Sequence, residues 1–303
     1  MTLGLFFPGQ GAQAVGMGKA FYDASDAAKA VYKRANARLS FDVAALCFEG
    51  PQEELTKTER CQVALLVTSL AAYEAYREAA PSMQAVAATG LSLGEWSALT
   101  AAKALAFEDA LYLVQARGEA MAQCAAQQGG AMLAIIGMNR DALDAVCQQS
   151  GARGANYNAP DQVVLSGTVA AIEKAQELAK AAGAKRAMKL DVAGAFHSPL
   201  MEPAAKAMER VLAKAEIRPP TIPVISNVTG APVQDPQEIR RLLVAQITSP
   251  VQWDASVRQM VQMGAKTFVE FPPARVLTAL LRRIDPAASG VALNEPKDFE
   301  QLP

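Results

Sequence analysis

The chain has 303 residues, 51% of them hydrophobic, with 29 basic and 30 acidic side chains and a formal net charge of −1. This length allows one large buried core, alone or with a smaller companion domain, and the balanced charge argues against a nucleic-acid partner or an acidic tail. The four cysteines (Cys47, Cys61, Cys124 and Cys147) form no C-x-x-C pair and His197 is the only histidine, so neither a disulfide framework nor an ordinary metal site is expected. The N-terminal stretch Met1 to Phe7 lacks a basic region before its apolar run, and no run reaches membrane-spanning length. A reduced, cytoplasmic protein with no signal peptide and no membrane span is the expectation.

In chain order, Leu3 to Phe7 reads as a short strand ended by Pro8-Gly9-Gln10-Gly11-Ala12-Gln13. Gly9-x-Gly11-x-x-Ala14 fits a dinucleotide-binding fingerprint, which requires a helix and then a second strand ending in an acidic residue. Instead Ala24 to Leu39 keeps reading as helix, with Lys29, Lys33, Arg34 and Arg38 at its polar positions. The other use of such a loop is to aim backbone N–H groups at an anion or a developing oxyanion. Gly50 to Glu78 reads as a Pro-Gln-Glu-Glu helix start, followed by Cys61 to Val67 running into an Ala-rich amphipathic helix.

Met83 to Ala88 is an apolar run of strand length, Thr89-Gly90-Leu91-Ser92-Leu93-Gly94-Glu95 is a sharp Gly-flanked turn, and Trp96 to Leu105 has helical spacing. In that setting G-x-S-x-G is a nucleophile elbow with Ser92 as the candidate nucleophile. The pentapeptide alone fits an incidental serine in a Gly-rich connection equally well. The next helix, Phe107 to Gly118, has apolar residues at 107, 110, 111, 113 and 114, with Arg117 on or near that face. Such an arginine either snorkels to the surface or, if buried, needs an anionic partner.

After Gly129-Gly130 the pattern is strand (Met132 to Gly137), helix (Asn139 to Ser150), two short strands around Pro160-Asp161, helix (Val169 to Gly183) and strand (Ala187 to Val192). This β-α-β-β-α-β order is the ferredoxin-like arrangement. His197 follows at the second glycine join, Gly194; a lone histidine is commonly a structural residue, but a nucleophilic Ser92 would need a base and this is the sole imidazole. Beyond it, Leu200 to Ile217 and Ile239 to Ile247 read as helices, and Ser249-Pro250-Val251-Gln252-Trp253 reads as the start of another. Lys266 to Phe271 is a strand before Pro272-Pro273, and Val276 to Ile284 a helix. The fold class expected is α/β: a large domain with a mostly parallel sheet (residues 1–128 and 198–303) and an inserted α+β subdomain (129–197).

These pieces together resemble the malonyl-CoA:acyl carrier protein transacylase family over nearly the whole chain. The resemblance rests on Phe7-Pro8-Gly9-Gln10-Gly11-Ala12-Gln13, Gly90-Leu91-Ser92-Leu93-Gly94-Glu95, Arg117-Gly118 with Met121, and Asn156-Tyr157-Asn158 with Gln162. It continues through Gly194-Ala195-Phe196-His197-Ser198-Pro199-Leu200-Met201 and Pro250-Val251-Gln252-Trp253. It implies an α/β-hydrolase-like large domain in which Ser92 attacks the thioester of malonyl-CoA and His197 takes its proton. It also implies an oxyanion hole of the Gln10 and Leu93 amides, such donors being worth about 3 kcal/mol each. The resemblance further assigns the Gln252 backbone carbonyl to orienting the imidazole and Arg117 to binding the malonyl carboxylate through its planar fork. Gln62 and Asn158 would line the channel, and Phe196 would narrow the space beside the acyl α-carbon, as in malonyl-selective members. The malonyl group would then pass from Ser92 to the phosphopantetheine thiol of acyl carrier protein, for fatty acid synthesis, with no permanently bound cofactor and a monomeric enzyme.

Two positions depart from the family pattern: Leu91 stands where histidine is usual, and Pro272-Pro273-Ala274 where Gly-Pro-Gly is usual. Transfer should survive the first change, with altered pocket polarity. A polyketide synthase acyltransferase acting in trans would share every motif, whereas an acyl hydrolase of the same fold should lack Arg117. A nucleotide-binding protein without catalysis would be indifferent to loss of Ser92. Lys185, Arg186 and Lys189, or Arg275, Arg282 and Arg283, offer basic faces to an acidic partner, or equally solvated surface.

Overall fold

The computed structural model describes residues 2–302. In chain order the first elements are β1 (Leu3–Phe7), α1 (Lys19–Ala24), α2 (Asp26–Asn36), α3 (Val43–Glu49), α4 (Gln52–Thr56), α5 (Thr58–Ala79), β2 (Ala85–Gly90), α6 (Leu93–Ala101) and α7 (Phe107–Gln128). They are followed by β3 (Ala131–Ile136), α8 (Arg140–Ser150), β4 (Arg153–Ala159), β5 (Gln162–Gly167), α9 (Val169–Ala181) and β6 (Arg186–Lys189). The chain returns through α10 (Glu202–Leu212), β7 (Val224–Ile225), β8 (Pro232–Val233), α11 (Pro236–Ala245), α12 (Trp253–Gln262), β9 (Thr267–Glu270), α13 (Val276–Ile284) and β10 (Ser289–Ala292).

Six strands form one sheet in the order β10-β9-β1-β2-β7-β8, parallel throughout except for the β7–β8 pair. The mixed α/β organisation with a mostly parallel sheet is therefore as the alternation of elements implied. All five residues of β1 are buried, the signature of a strand covered on both faces rather than one. Phe6 stacks on Phe268 at 4.7 Å and Phe7 on Phe271 at 4.9 Å; because successive side chains alternate faces, these pairs pin β1 beside β9 from both sides. The Pro8 loop thus emerges at the carboxyl end of the sheet, beside the end of β2, where ligands bind in open α/β sheets. The glycine-rich loop leads into α1 and α2, five helices separate β1 from its parallel neighbour β2, and β2 ends at Gly90, so the short βαβ unit with an acidic residue closing its second strand, which a dinucleotide fingerprint requires, is missing.

The β-α-β-β-α-β run makes a sheet of its own, antiparallel in the order β4-β5-β3-β6. Val251 ties the segment before α12 to the edge strand β4: its N–H donates to Ala155 O (2.8 Å) and its carbonyl accepts from Tyr157 N–H (2.9 Å). This corrects the reading of Pro250 as a helix start. With both backbone groups of Val251 committed to β4, α12 begins only at Trp253. The turn after β9 contains a cis Pro272–Pro273 bond, and Ser69 Oγ donates to Pro272 O at 2.7 Å.

The 22-residue α5 is buried on nearly every side instead of being amphipathic, as expected of a helix packed inside a domain. It lies against α7, and Gly118 permits the close approach: a Cβ there would stand 2.8 Å from Glu59 Cα. The neighbouring Arg117 is carried inward by the same contact. Among the described residues no helix is long and apolar enough to cross a membrane.

Candidate active site

Ser92 sits between the end of β2 and the start of α6 with φ 54° and ψ −99°, a conformation that costs a non-glycine residue free energy and persists only when its surroundings enforce it. Three hydrogen bonds do so. Leu91 N–H donates to Phe7 O (3.0 Å), Ser92 N–H donates to Asn227 Oδ1 (2.7 Å), and Asn227 Nδ2 donates to Gly90 O (2.8 Å). Both elbow glycines are demanded by space. A Cβ on Gly90 would lie 2.1 Å from the Gly94 carbonyl carbon, and one on Gly94 2.0 Å from Phe7 O. The Leu93 amide is the first of α6, among the N–H groups that a helix leaves without an intrahelical partner. The Gln10 backbone N–H, across the same cavity, donates to no protein acceptor among the described residues, while its side-chain Nε2 donates to Thr58 Oγ1 (3.4 Å).

His197, also at positive φ (57°), places Nε2 2.8 Å from Ser92 Oγ. Its Nδ1 lies 2.8 Å from the backbone carbonyl of Gln246. A carbonyl only accepts, so the proton resides on Nδ1 and Nε2 is left to accept from the serine hydroxyl. The expectation for Gln252 is corrected here: its carbonyl accepts from Ser256 N–H (2.9 Å) and Ser256 Oγ (2.8 Å) as the first turn of α12 forms, and is not available to the imidazole. Burial first, and the Arg117 charge second, push the His197 pKa down to about 4, against the raising effect of the Gln246 and Ser249 carbonyls.

Arg117 is 1% exposed, which excludes the snorkelling alternative. Its Nη1 donates to Gln62 Oε1 (2.6 Å), and its Nη2 to Gln246 Oε1 (2.9 Å) and Ser92 Oγ (3.0 Å); Nε has no partner among the described residues. All of these acceptors are neutral, an uncommon state for a buried guanidinium. The charge that offsets it is Glu95, 2% exposed, held one residue away through Gln246. Burial lowers Arg117 to about 10, opposed by Glu95, and raises Glu95 to about 7, opposed by its hydrogen bonds to Gln246, Asn227 and Ser226 and by Arg117.

A cavity of about 200 Å³ opens over these groups. Ser92, His197, Arg117, Gln10, Leu93, Gln62, Asn158 and Phe196 all line it, as does Leu91. Of the residues singled out from sequence, only Gln252 is absent from this cluster. Gln62 turns out to be a direct partner of Arg117, and Asn158 Oδ1 is buried without a partner among the described residues. Sequence reasoning missed Gln246, Asn227 and the role of Glu95 in the network. For Gln246 a signal existed: Ile239, Leu242 and Leu243 are the buried face of α11, and the next position of that stripe is 246. A glutamine on an apolar stripe is a buried polar group that must be satisfied.

The acyl transferase domain family matches residues 5–292. The malonyl CoA-acyl carrier protein transacylase of Bacillus subtilis is 41% identical, over 98% of this chain and 95% of that protein. The chain belongs to the malonyl CoA-acyl carrier protein transacylase family. Among solved structures, an acyl carrier protein S-malonyltransferase from Vibrio cholerae superposes with a TM-score of 0.96 at 38% identity, covering 99% of both chains. A malonyl-transacylase solved in complex with a holo type II polyketide synthase acyl carrier protein gives a TM-score of 0.96 at 36% identity, covering 99% of this chain and 98% of that one.

Proposed function

We infer that this chain transfers a malonyl group from malonyl-CoA to the phosphopantetheine thiol of acyl carrier protein through a malonyl ester on Ser92. The observation that carries the reading is Arg117: a buried cation next to the serine hydroxyl, with Nε unpartnered and no carboxylate directly against it among the described residues. A substrate that brings its own carboxylate supplies what the site lacks.

His197 Nε2 accepts the hydroxyl proton as Ser92 Oγ bonds to the thioester carbon. The charge that develops on the carbonyl oxygen faces the Gln10 and Leu93 amides, and collapse expels the CoA thiolate, which takes the proton. The second half-reaction runs in reverse, with the carrier thiol as nucleophile and Ser92 as leaving group. A thiolate leaves readily, so a dyad oriented by the Gln246 carbonyl suffices without a carboxylate on the imidazole. When the malonyl carboxylate neutralises Arg117, the second cause of the depressed His197 pKa is removed, and the base strengthens once the correct acyl group is bound. Phe196 bounds the acyl pocket, and Leu91 gives it an apolar wall where relatives carry histidine. An acyl hydrolase has no use for Arg117.

We read the small sheet, with its surrounding residues 129–197, as a ferredoxin-like insertion in an α/β-hydrolase-like domain comprising residues 1–128 and 198–303. One chain supplies every group named in the cycle, so the cycle needs no residue from a second copy. Four free cysteines accord with a reducing, cytoplasmic setting. Transfer to a polyketide carrier is a second reading, favoured by the similarity to the complexed transacylase.

Intact-protein mass spectrometry after mixing with malonyl-CoA should show one added malonyl group, mapped by peptide analysis to Ser92, and discharged by holo acyl carrier protein. No adduct, or an adduct elsewhere, contradicts the reading, and the relative discharge rates with fatty acid and polyketide carriers separate the two destinations. In the pH profile of kcat/KM, which reports the free enzyme, activity should rise with pH through about 4 as His197 loses its proton. An acid limb near the ordinary imidazole value of 6.5 that persists in Glu95→Gln, which removes the carboxyl that titrates at about 7, would contradict the burial argument.

A further inference from the structure

We propose that Glu95 is a positioning residue for acyl selectivity: it fixes the amide orientation of Gln246 and, through it, the pose of the Arg117 guanidinium. The inference rests on the malonyl-carboxylate reading of Arg117. Gln246 Nε2 donates to Glu95 Oε2 (2.6 Å) and to the Ser92 carbonyl (3.0 Å), while Gln246 Oε1 accepts from Arg117 Nη2 (2.9 Å). A carboxylate and a carbonyl only accept and a guanidinium only donates, so all three partners demand the same orientation of the amide. A rotated amide would set its N–H₂ against the cation and its oxygen against two acceptors.

Of the two partners that face the N–H₂ group, only Glu95 is a side chain. It also accepts from Asn227 N–H (3.1 Å), and Asn227 clamps the elbow. Glu95 is thus tied to both walls of the site, yet among the described residues its carboxylate makes no hydrogen bond to Ser92, His197 or Arg117, and only its backbone N–H reaches Ser92, at the carbonyl (3.2 Å). Its effect on the reaction passes through Gln246. Without the carboxylate the amide loses its strongest acceptor, and Nη2 of Arg117 loses the fixed oxygen that aims it at the acyl pocket.

The test compares kcat/KM for malonyl-CoA and acetyl-CoA in Glu95→Met, which fills the space without an acceptor, and in Glu95→Gln, which retains one. Loss of a charge-assisted hydrogen bond predicts a fall in the malonyl-to-acetyl ratio of about tenfold in Glu95→Met, carried mainly by the malonyl KM, with Glu95→Gln within about threefold of the parent. Gln246→Met, which keeps the backbone carbonyl, should reproduce the fall in ratio, and the double variant should be no worse than either single one. Equal losses on both substrates, additive losses in the double variant, or no change in ratio would overturn the proposal. Glu95→Ala replaces Glu95→Met if the latter does not fold; if neither folds while Glu95→Gln does, Glu95 is a scaffold residue and the proposal fails. Selective malonyl loss in Arg117→Ala without one in Glu95→Met would reject the Glu95 role alone, whereas a non-selective Arg117→Ala would reject the reading beneath it.

Discussion

Arg117→Ala should lower kcat/KM for malonyl-CoA by about 10²- to 10⁴-fold, the range expected when a buried carboxylate is deprived of its counter-charge at about 3–5 kcal/mol. Acetyl-CoA carries no carboxylate, so its transfer should fall far less or rise, and the malonyl-to-acetyl ratio should collapse. The geometry makes this a severe test. The guanidinium touches Ser92 Oγ itself, so a general disturbance of the nucleophile would appear with both substrates. Comparable losses on the two would count against the carboxylate clamp. Arg117→Lys should not restore the ratio, because an ammonium cannot reproduce the planar fork shared among Gln62, Gln246 and the substrate.

Ser92→Ala should abolish the malonyl adduct, and His197→Ala should slow its formation by about 10⁴- to 10⁶-fold in single-turnover experiments. The two groups act as a unit at 2.8 Å, so the double variant should lose little more than the worse single one. Residual transfer in His197→Ala would reflect the oxyanion donors and binding alone. Normal turnover in either variant would remove the dyad from the mechanism.

How much of this was legible in sequence depended on whether a side chain or the backbone carried the information. The elbow was readable because Gly90 and Gly94 are required by contacts with neighbouring backbone, so their spacing around Ser92 is a direct imprint of geometry. His197 was readable by elimination. Arg117 was ambiguous because its burial is decided by α5 and by Gln246, far away in sequence. The imidazole partner was misplaced at Gln252 because the contact is made by a backbone carbonyl, a group every residue owns and no motif can advertise. The misreading of Pro250 had a related origin: Val251 uses its backbone to bridge to β4, and nothing in its side chain announces that. The second sheet, by contrast, was plain from its alternation of strand and helix between glycine joins. The burial of α5 on all sides was not, since periodicity within one segment does not reveal how many others will cover it.

Gln246 meets the reaction centre with two chemically distinct parts, the carbonyl toward His197 and the amide toward Arg117 and Glu95. One of these is immune to the genetic code and the other is not. A codon change at 246 can therefore retune which acyl chain is retained while the base keeps its tautomer. An insertion or deletion in the segment joining α11 to α12 would move both together. Drift in substrate preference has an inexpensive route through this one position, and drift in the chemistry does not.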